Sequence, residues 1–157
     1  MSKRNVIGCF ERVSFPDFQG VSRIAKIDTG AFTGSIHASN IVSGPMPGSR
    51  KRVLRFNLFG KKKYYYETTV YKVTPARVAN GESTRRYIVP FHIDIEGKTY
   101  EILLALSDRS EMKRRVLIGR RFLKNNNFII DTNLHREFDG EWKMKGSKGE
   151  DSYFVKW

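Results

Sequence analysis

The chain is poor in the residues that build disulfides and metal sites, with one cysteine, Cys9, and three histidines in 157 residues. One cysteine cannot form an internal disulfide, which fits the cytoplasmic location that we expect. No apolar run approaches the ~20 residues of a membrane span, and the one that follows the basic N-terminus is too short for a signal peptide. The histidines lie far apart and no His-Glu-x-x-His occurs, so we predict no metal site.

Acidic residues are also scarce: 16 Asp and Glu stand against 29 Lys and Arg, a formal net charge of +13. This excess favours an anionic partner such as nucleic acid, a ribosome surface, an anionic membrane or an acidic peptide, although it also serves solubility alone. The chain lacks a Gly-x-x-x-x-Gly-Lys loop for phosphates, so we expect neither direct use of ATP nor any cofactor. Its length fits one domain over 1–157.

Strand signals dominate the sequence and predict an all-β protein, because short β-branched and apolar runs alternate with Gly, Pro, Asn and Ser. One short helix is predicted over 120–124, where three asparagines follow good helix formers. Residues 43–49 are predicted to form an exposed loop, and the aromatic end at 153–157 is predicted to dock or pair as a strand. The predicted strands are 6–10, 21–28, 53–59, 64–71, 86–95, 100–106, 115–118 and 128–131.

The candidate chemistry lies in one stretch, where an apolar strand leads into Asp28-Thr29-Gly30-Ala31. The strand would fix the Asp28 carboxylate, and Thr29 could hydrogen-bond into the matching turn of a partner subunit. Gly30 would let the backbone approach a substrate without a Cβ in the way, and Ala31 would keep the floor of the site open. An aspartic peptidase needs two carboxylates, one acting as base on water and one as acid. Only one Asp-Thr-Gly is present, so a twofold homodimer must supply the second.

A tripeptide alone is more typical of an ordinary turn after a strand, and a second motif changes that balance. Residues 115–123 give an apolar strand, then Gly119-Arg120, then a helical turn. Retroviral proteases carry a similar pattern downstream of their catalytic loop, where the arginine opens the helix and braces that loop. The resemblance implies that Gly119 and Arg120 support the loop of Asp28.

The chain also resembles a bacterial retropepsin-like family that is labelled as ATP-dependent zinc proteases. The matching stretches are 7–13, 25–31, 35–38, 80–90 and 106–112, and the resemblance covers residues 5–131. It implies a closed retropepsin-like β-barrel with one short α-helix after the Gly-Arg motif, and the activity of an aspartic endopeptidase. Members of that family often sit beside ATP-grasp ligases that add glutamate to a ribosomal protein, which implies a link to such a ligase. Residues 132–157 remain as a C-terminal extension.

The sequence departs from these patterns next to the catalytic loop. Phe32 stands where the bacterial family more often has a basic residue. Retroviral enzymes place an acid shortly after their catalytic loop to hold the downstream arginine, whereas this chain has Phe32 and Thr33. The departure leaves the partner of Arg120 open but does not affect the assignment of Asp28.

A flap is predicted over residues 74–86, as a hairpin with its tip at the strong turn dipeptide Asn80-Gly81. A hairpin that closes over an extended peptide would exclude water from the reaction. Arg77, Arg85 and Arg86 would give the groove a basic ceiling, so we expect an acidic or glutamate-rich peptide or protein substrate.

Two other functions stay open at this point. The first is a catalytically inactive member of the fold that binds a partner, such as the ligase or a ribosomal component. The second, less favoured, is a basic β-protein that stacks nucleic-acid bases on residues 64–66 beside the cations of 61–63. Tyrosines at alternate strand positions more often pack or face solvent, which argues against this second reading.

Overall fold

The computed structural model describes residues 4–77, 80–81 and 83–139, and the predicted docking of 153–157 lies outside them. These residues form eleven strands, one α-helix and three short 3-10 turns at Pro16–Phe18, Lys62–Tyr64 and Arg136–Phe138. The strands are β1 Asn5–Ile7, β2 Phe10–Phe15, β3 Val21–Asp28, β4 Gly34–Pro45, β5 Arg52–Leu58, β6 Tyr65–Thr68, β7 Lys72–Arg77, β8 Ser83–Ile95, β9 Lys98–Ser107, β10 Val116–Gly119 and β11 Phe128–Ile130, and the helix α1 is Arg120–Asn125.

Six strands close into a barrel in the order β10-β3-β2-β8-β9-β4, with β4 pairing back onto β10. Strand β10 runs parallel to β3 with Gly119 opposite Asp28, and antiparallel to β4 with Leu117 opposite Ser35. The short strand β10 therefore lies between the strand that enters the Asp28 loop and the strand that leaves it. The predicted all-β barrel with one short helix after the Gly-Arg motif is confirmed.

The barrel interior is filled by alternate residues of its strands, as period-two side-chain geometry requires. Val13 and Phe15 of β2 and Ile93 and Ile95 of β8 are almost fully buried. An aromatic cluster extends this core under the neighbouring sheet, where the Phe15, Phe56 and Phe18 rings surround Phe91 at centroid distances of 5.9–6.3 Å. A second cluster joins Phe122 of α1 to Tyr100 and Phe128, and so fixes the helix against the barrel.

The twelve-residue strand β4 is the main element that the sequence did not predict. Its polar residues and the irregular register between Ser39 and Val42 hide the alternation that marks a strand. The predicted loop over 43–49 is therefore wrong for residues 43–45, which belong to β4. The predicted strand 6–10 is also wrong as one element, because Gly8 and Cys9 separate β1 from β2. No helix of the described chain is long and apolar enough to cross a membrane.

Candidate active site

The catalytic-loop candidate, residues 28–31, begins where β3 ends. Asp28 is half-buried, and its Oδ1 accepts the backbone N–H of Gly30 at 2.9 Å. The backbone N–H of Ala31 reaches the Asp28 carbonyl at 3.3 Å, which closes the turn. Thr29 and Gly30 are exposed, and the Thr29 hydroxyl makes no hydrogen bond within the described part of the chain. The loop therefore presents a carboxylate and a free hydroxyl to solvent.

Two glycines let the strands on either side of the loop approach each other closely. A Cβ at Gly119 would lie 2.7 Å from the Gly34 nitrogen and 2.8 Å from the Phe32 carbonyl oxygen. A Cβ at Gly34 would lie 2.3 Å from the Leu117 carbonyl oxygen. Neither position has room for a side chain, because the atoms in the way belong to the backbone. Gly119 is thus required by the packing that holds β10 against the catalytic loop.

Arg120 binds the backbone carbonyls of the loop. Its Nη1 donates to the Thr29 carbonyl at 2.9 Å and lies 3.4 Å from the Gly30 carbonyl. Its own backbone N–H donates to the Ala31 carbonyl at 2.6 Å. The guanidinium and the start of α1 therefore contact three consecutive residues after Asp28. A role of Gly119 and Arg120 in catalysis stays a prediction.

Phe32 takes the place that an acid would have beside this arginine. The guanidinium carbons of Arg120 and Arg121 lie 5.7 and 5.9 Å from the Phe32 ring centroid, within the range of cation–π contacts. No carboxylate of a described residue forms an ion pair with either arginine. The partners of Arg120 are backbone carbonyls and an aromatic face, and within the described residues neither arginine has a carboxylate partner.

A buried arginine near the loop was not among the predicted site residues. Arg109 donates through Nη1 to the Ser35 hydroxyl at 3.2 Å, and its backbone N–H donates to Nδ1 of the buried His37 at 2.9 Å. Burial lowers the pKa of Arg109, the nearby Arg115 lowers it further, and the negative charge of Asp28 acts in the opposite direction. The sequence did contain a signal for Arg109, because residues 35–38 and 106–112 both match the bacterial family's pattern.

The predicted flap residues lie on a hairpin made by β7 and β8, with Asn80 and Gly81 in the turn. Arg85 is exposed and pairs with Pro75, whereas Arg86 is half-buried and pairs with Thr74. Successive strand residues point to opposite faces, so Arg85 and Arg86 cannot both line one ceiling. The backbone of Arg77 ends β7, and its side chain lies outside the described part of the chain.

The tyrosines that could have stacked nucleic-acid bases do not form an exposed platform. Tyr64 is buried and Tyr66 packs against Phe18 at 5.0 Å. Tyr65 is exposed, but its hydroxyl donates to Glu67 at 2.5 Å. The sequence analysis had favoured such packed or solvent-facing tyrosines over a base-stacking platform.

A second cluster of titratable groups lies away from the loop, at Glu11, Glu96 and His135. Glu11 is 2% exposed, and its Oε1 contacts the Gly8 N–H at 2.7 Å and His135 Nδ1 at 2.8 Å. His135 Nε2 lies 3.6 Å from Glu96 Oε1. Burial raises the pKa of Glu11 despite these hydrogen bonds. Burial opposes the charged form of His135, but the carboxylates of Glu11 and Glu96 outweigh it and raise its pKa.

Ligand atoms of these three residues lie within 4.8 Å of one another, a spacing that a metal ion could use. The two ring nitrogens of His135, however, face two different carboxylates, one in a hydrogen bond with Glu11 and one in a longer ion pair with Glu96. Zinc ligands instead converge on one point at about 2.0–2.3 Å. We interpret the cluster as a contact that holds residues 132–139 on the barrel.

A six-stranded barrel, a strand ending in Asp-Thr-Gly, and a Gly-Arg strand inserted beneath that loop define the retropepsin-like class of acid proteases. The family model described as "Retropepsin-like aspartic endopeptidase RimB" matches residues 6–138, and the chain belongs to this RimB-like family. The match extends past residue 131, where the sequence resemblance had ended, and includes His135.

Relatives of this chain carry a different name. Proteins named "Probable alpha-L-glutamate ligase" from Shewanella pealeana and Desulfotalea psychrophila are 34% and 30% identical to it over 138 and 135 residues. The matches cover 79% and 83% of this chain but only 28% and 29% of those proteins. A crystal structure of a Legionella pneumophila protein with unknown function (DUF785) aligns with a TM-score of 0.64 at 26% identity, covering 84% of this chain and 96% of that one.

Proposed function

We propose that the chain is one subunit of a homodimeric aspartic endopeptidase, with one Asp28 from each copy. The observation that carries this is an incomplete site at the surface. One half-buried carboxylate stands beside an exposed Thr29 hydroxyl that has no partner in the described chain. A twofold axis through the loop would bring a second Asp28 and a second Thr29 to this position, since an isologous contact repeats the same surface.

The chemistry of such a pair needs no cofactor. One ionised Asp28 takes a proton from a water molecule, and the water oxygen attacks the carbonyl carbon of the scissile peptide bond. The other, protonated Asp28 donates its proton to the carbonyl oxygen, which gives a neutral tetrahedral diol. The carboxyl group that received the water's proton then protonates the leaving nitrogen as the C–N bond breaks. The proton of one diol hydroxyl returns to the other carboxylate, so the pair again holds one proton.

The fold around the loop would hold this pair in place. Arg120 fixes the carbonyls of Thr29 and Gly30, and the close contact of Gly119 with Gly34 leaves the loop little freedom. The hairpin of β7 and β8 would close over the peptide as a flap. An extended peptide between loop and flap is the substrate form that this arrangement suits.

The substrate that we propose is acidic. The chain carries a net charge of +13, and exposed Arg85 lies on the flap hairpin. The ligase name of the relatives also supports an acidic substrate, because a protein to which glutamate residues have been added would contain an acidic peptide. A functional link between this chain and a glutamate ligase is part of the proposal.

Two measurements test it. Cleavage of a peptide library by the wild type, with loss of cleavage in Asp28→Asn, would establish the peptidase. Wild type and Asp28→Asn are mixed in equal amounts and allowed to exchange subunits. Compared with the same total concentration of wild type, the mixture should keep about a quarter of the activity if both carboxylates must be present, and about a half if single chains act alone. Equal behaviour of wild type and Asp28→Asn with every peptide would contradict the proposal and favour an inactive binding protein that partners the ligase.

A further inference from the structure

A cavity of about 530 Å³ opens directly beside the catalytic loop. Its walls come from residues 32–34 after the loop, from 70–72 before the flap, from 101–103 of β9, and from α1. Phe32 lies four residues after Asp28, so the Cα atoms of the two residues are at most roughly 14 Å apart. Extended peptides advance about 3.3 Å per residue. A peptide bound at Asp28 would therefore place a side chain here two to four residues away from the scissile bond.

The cavity combines an apolar rim with two cations. Phe32, Val70 and Leu103 are 55%, 63% and 45% exposed, which makes three large apolar side chains that face solvent around one opening. Arg121 and Lys72 line the same space and are both exposed. A glutamate side chain has the matching construction, with an apolar stem and a carboxylate at its end.

The charge of Arg121 is available to a ligand. Neither Arg121 nor Lys72 forms an ion pair with a carboxylate of the described residues, and the Arg121 guanidinium contacts the Phe32 ring. Arg120, by contrast, is engaged with the backbone of the catalytic loop. The two neighbouring arginines therefore have different contacts: Arg120 binds the loop, and Arg121 lines the cavity.

One acid also lines the cavity, and it has a partner of its own. Glu101 Oε1 lies 3.7 Å from Nε2 of His92, whose Nδ1 contacts Asp17 at 2.6 Å. The hydrogen bond with Asp17 is the main cause that raises the pKa of His92, and the charge of Glu101 raises it further. The lining charges are Arg121, Lys72 and Glu101, so the cavity is cationic on balance.

We propose that this cavity is a carboxylate-binding subsite, in which Arg121 and Lys72 recognise an acidic side chain of an extended peptide two to four residues from the bond that is cut. The proposal rests on the proposed peptidase function and adds the location and the residues of its specificity. It assigns the acidic preference to the base of the flap and to α1, and not only to the arginines of the flap.

The test uses short fluorescein-labelled peptides in which one Glu, or its isostere Gln, is placed at successive positions. Binding is measured by fluorescence anisotropy on the Asp28→Asn protein, so that no cleavage is needed, and cleavage is measured as kcat/KM on the wild type. At one position Glu should bind about three- to tenfold more tightly than Gln, the effect of a partly exposed charged hydrogen bond. Arg121→Gln should abolish this difference, and Lys72→Gln should reduce it.

The matched control is Lys124→Gln, which removes one exposed cation from the same helix without touching the cavity. It should leave the Glu preference intact, and Arg121→Glu should shift the preference towards Lys at that position. Equal losses in Arg121→Gln and Lys124→Gln would overturn the subsite, since they would show an effect of total charge alone.

The subsite and the peptidase can fail separately. Efficient cleavage with no Glu preference at any position would overturn the subsite and leave the peptidase in place. Arg121-dependent binding of Glu peptides without cleavage by the wild type would support the subsite as a binding site and contradict the peptidase.

Discussion

The two carboxylates Asp28 and Glu11 have opposite surroundings. Glu11 is 2% exposed, and its Oε1 contacts a backbone N–H and an imidazole while a second carboxylate lies on the far side of that ring. Asp28 is half-buried, accepts the Gly30 N–H, and ends at an exposed loop. Buried polar groups are normally hydrogen-bonded to protein groups or to ordered water. The Glu11 site meets that rule unaided, whereas the Asp28 site presents groups that a second molecule would complete.

The largest expected effect separates these two carboxylates by function. Asp28→Asn should lower kcat by roughly a thousandfold or more, the usual loss when a catalytic group is removed, and should change Tm little because the side chain is half-exposed. Glu11→Gln should lower Tm and leave kcat/KM of the folded protein within about threefold, since it lies outside the catalytic loop. Peptide cleavage and thermal unfolding measured on both variants give the comparison.

Loss of cleavage in Glu11→Gln at a temperature where the variant remains folded would contradict this difference in role between the two carboxylates. It would mean that the cluster of Glu11, His135 and Glu96 takes part in the reaction. Urea unfolding at the assay temperature supplies the control for folding.

The next effect concerns the packing that holds the catalytic loop. Gly119→Ala should lower the free energy of unfolding by about 2–4 kcal/mol, at or above the usual range for overpacking, because the new Cβ meets backbone atoms at 2.7–2.8 Å. Gly44→Ala is the matched control within β4, since its Cβ would meet only the Arg55 guanidinium at 3.9 Å. Urea unfolding of both variants measures the difference, and equal stabilities would show that β10 can move away from the loop.

The loop of residues 28–31 and its contact with Gly119-Arg120 could be anticipated because each is a continuous sequence motif, whereas their part in catalysis stays a prediction. Asp28-Thr29-Gly30 and Gly119-Arg120 are short, ordered along the chain, and matched to a known family. Their contact across the β3–β10 pair, with Gly119 opposite Asp28, follows from that resemblance. The partner of Arg120 could not be anticipated, because backbone carbonyls and the Phe32 ring carry no charge pattern that a sequence displays.

The contact between Glu11 and His135 was missed for a different reason. The two residues are 124 positions apart and join a barrel strand to the segment after β11. No local periodicity encodes such a contact, since it depends on where the chain returns after the barrel has closed. The isolated His135 gave no ligand spacing, and Glu11 was a single acid directly after the predicted strand 6–10.

The third prediction compares the two histidine–carboxylate pairs. His135→Gln should lower the free energy of unfolding by about 1–3 kcal/mol, because it leaves the buried Glu11 charge without its charged partner. His92→Gln should change stability little, since the ion pair of His92 with Asp17 is half-exposed on both sides. Equal losses in the two variants, measured by urea unfolding, would contradict the view that burial makes the His135 contact the stronger one.

The smallest expected effect is a pH dependence of that same contact. The pKa of His135 and the pKa of Glu11 are both raised in the folded protein, so the folded state binds more protons than the unfolded state. Stability then decreases as pH rises, and the part due to His135 is fully present below its unfolded pKa of about 6.5 and is lost as pH rises through its higher folded pKa.

His92 also titrates with a raised pKa, so Tm should be recorded from acidic to mildly basic pH for the wild type and for His135→Gln. Because His135 also lowers the pKa of Glu11, the difference between the two curves contains both groups in the acidic range, whereas above the unfolded histidine pKa of about 6.5 it should shrink as His135 loses its proton. A difference that grows with pH in that upper range would mean that the neutral imidazole holds residues 132–139 better than the charged one, contrary to the two carboxylates that face its ring nitrogens.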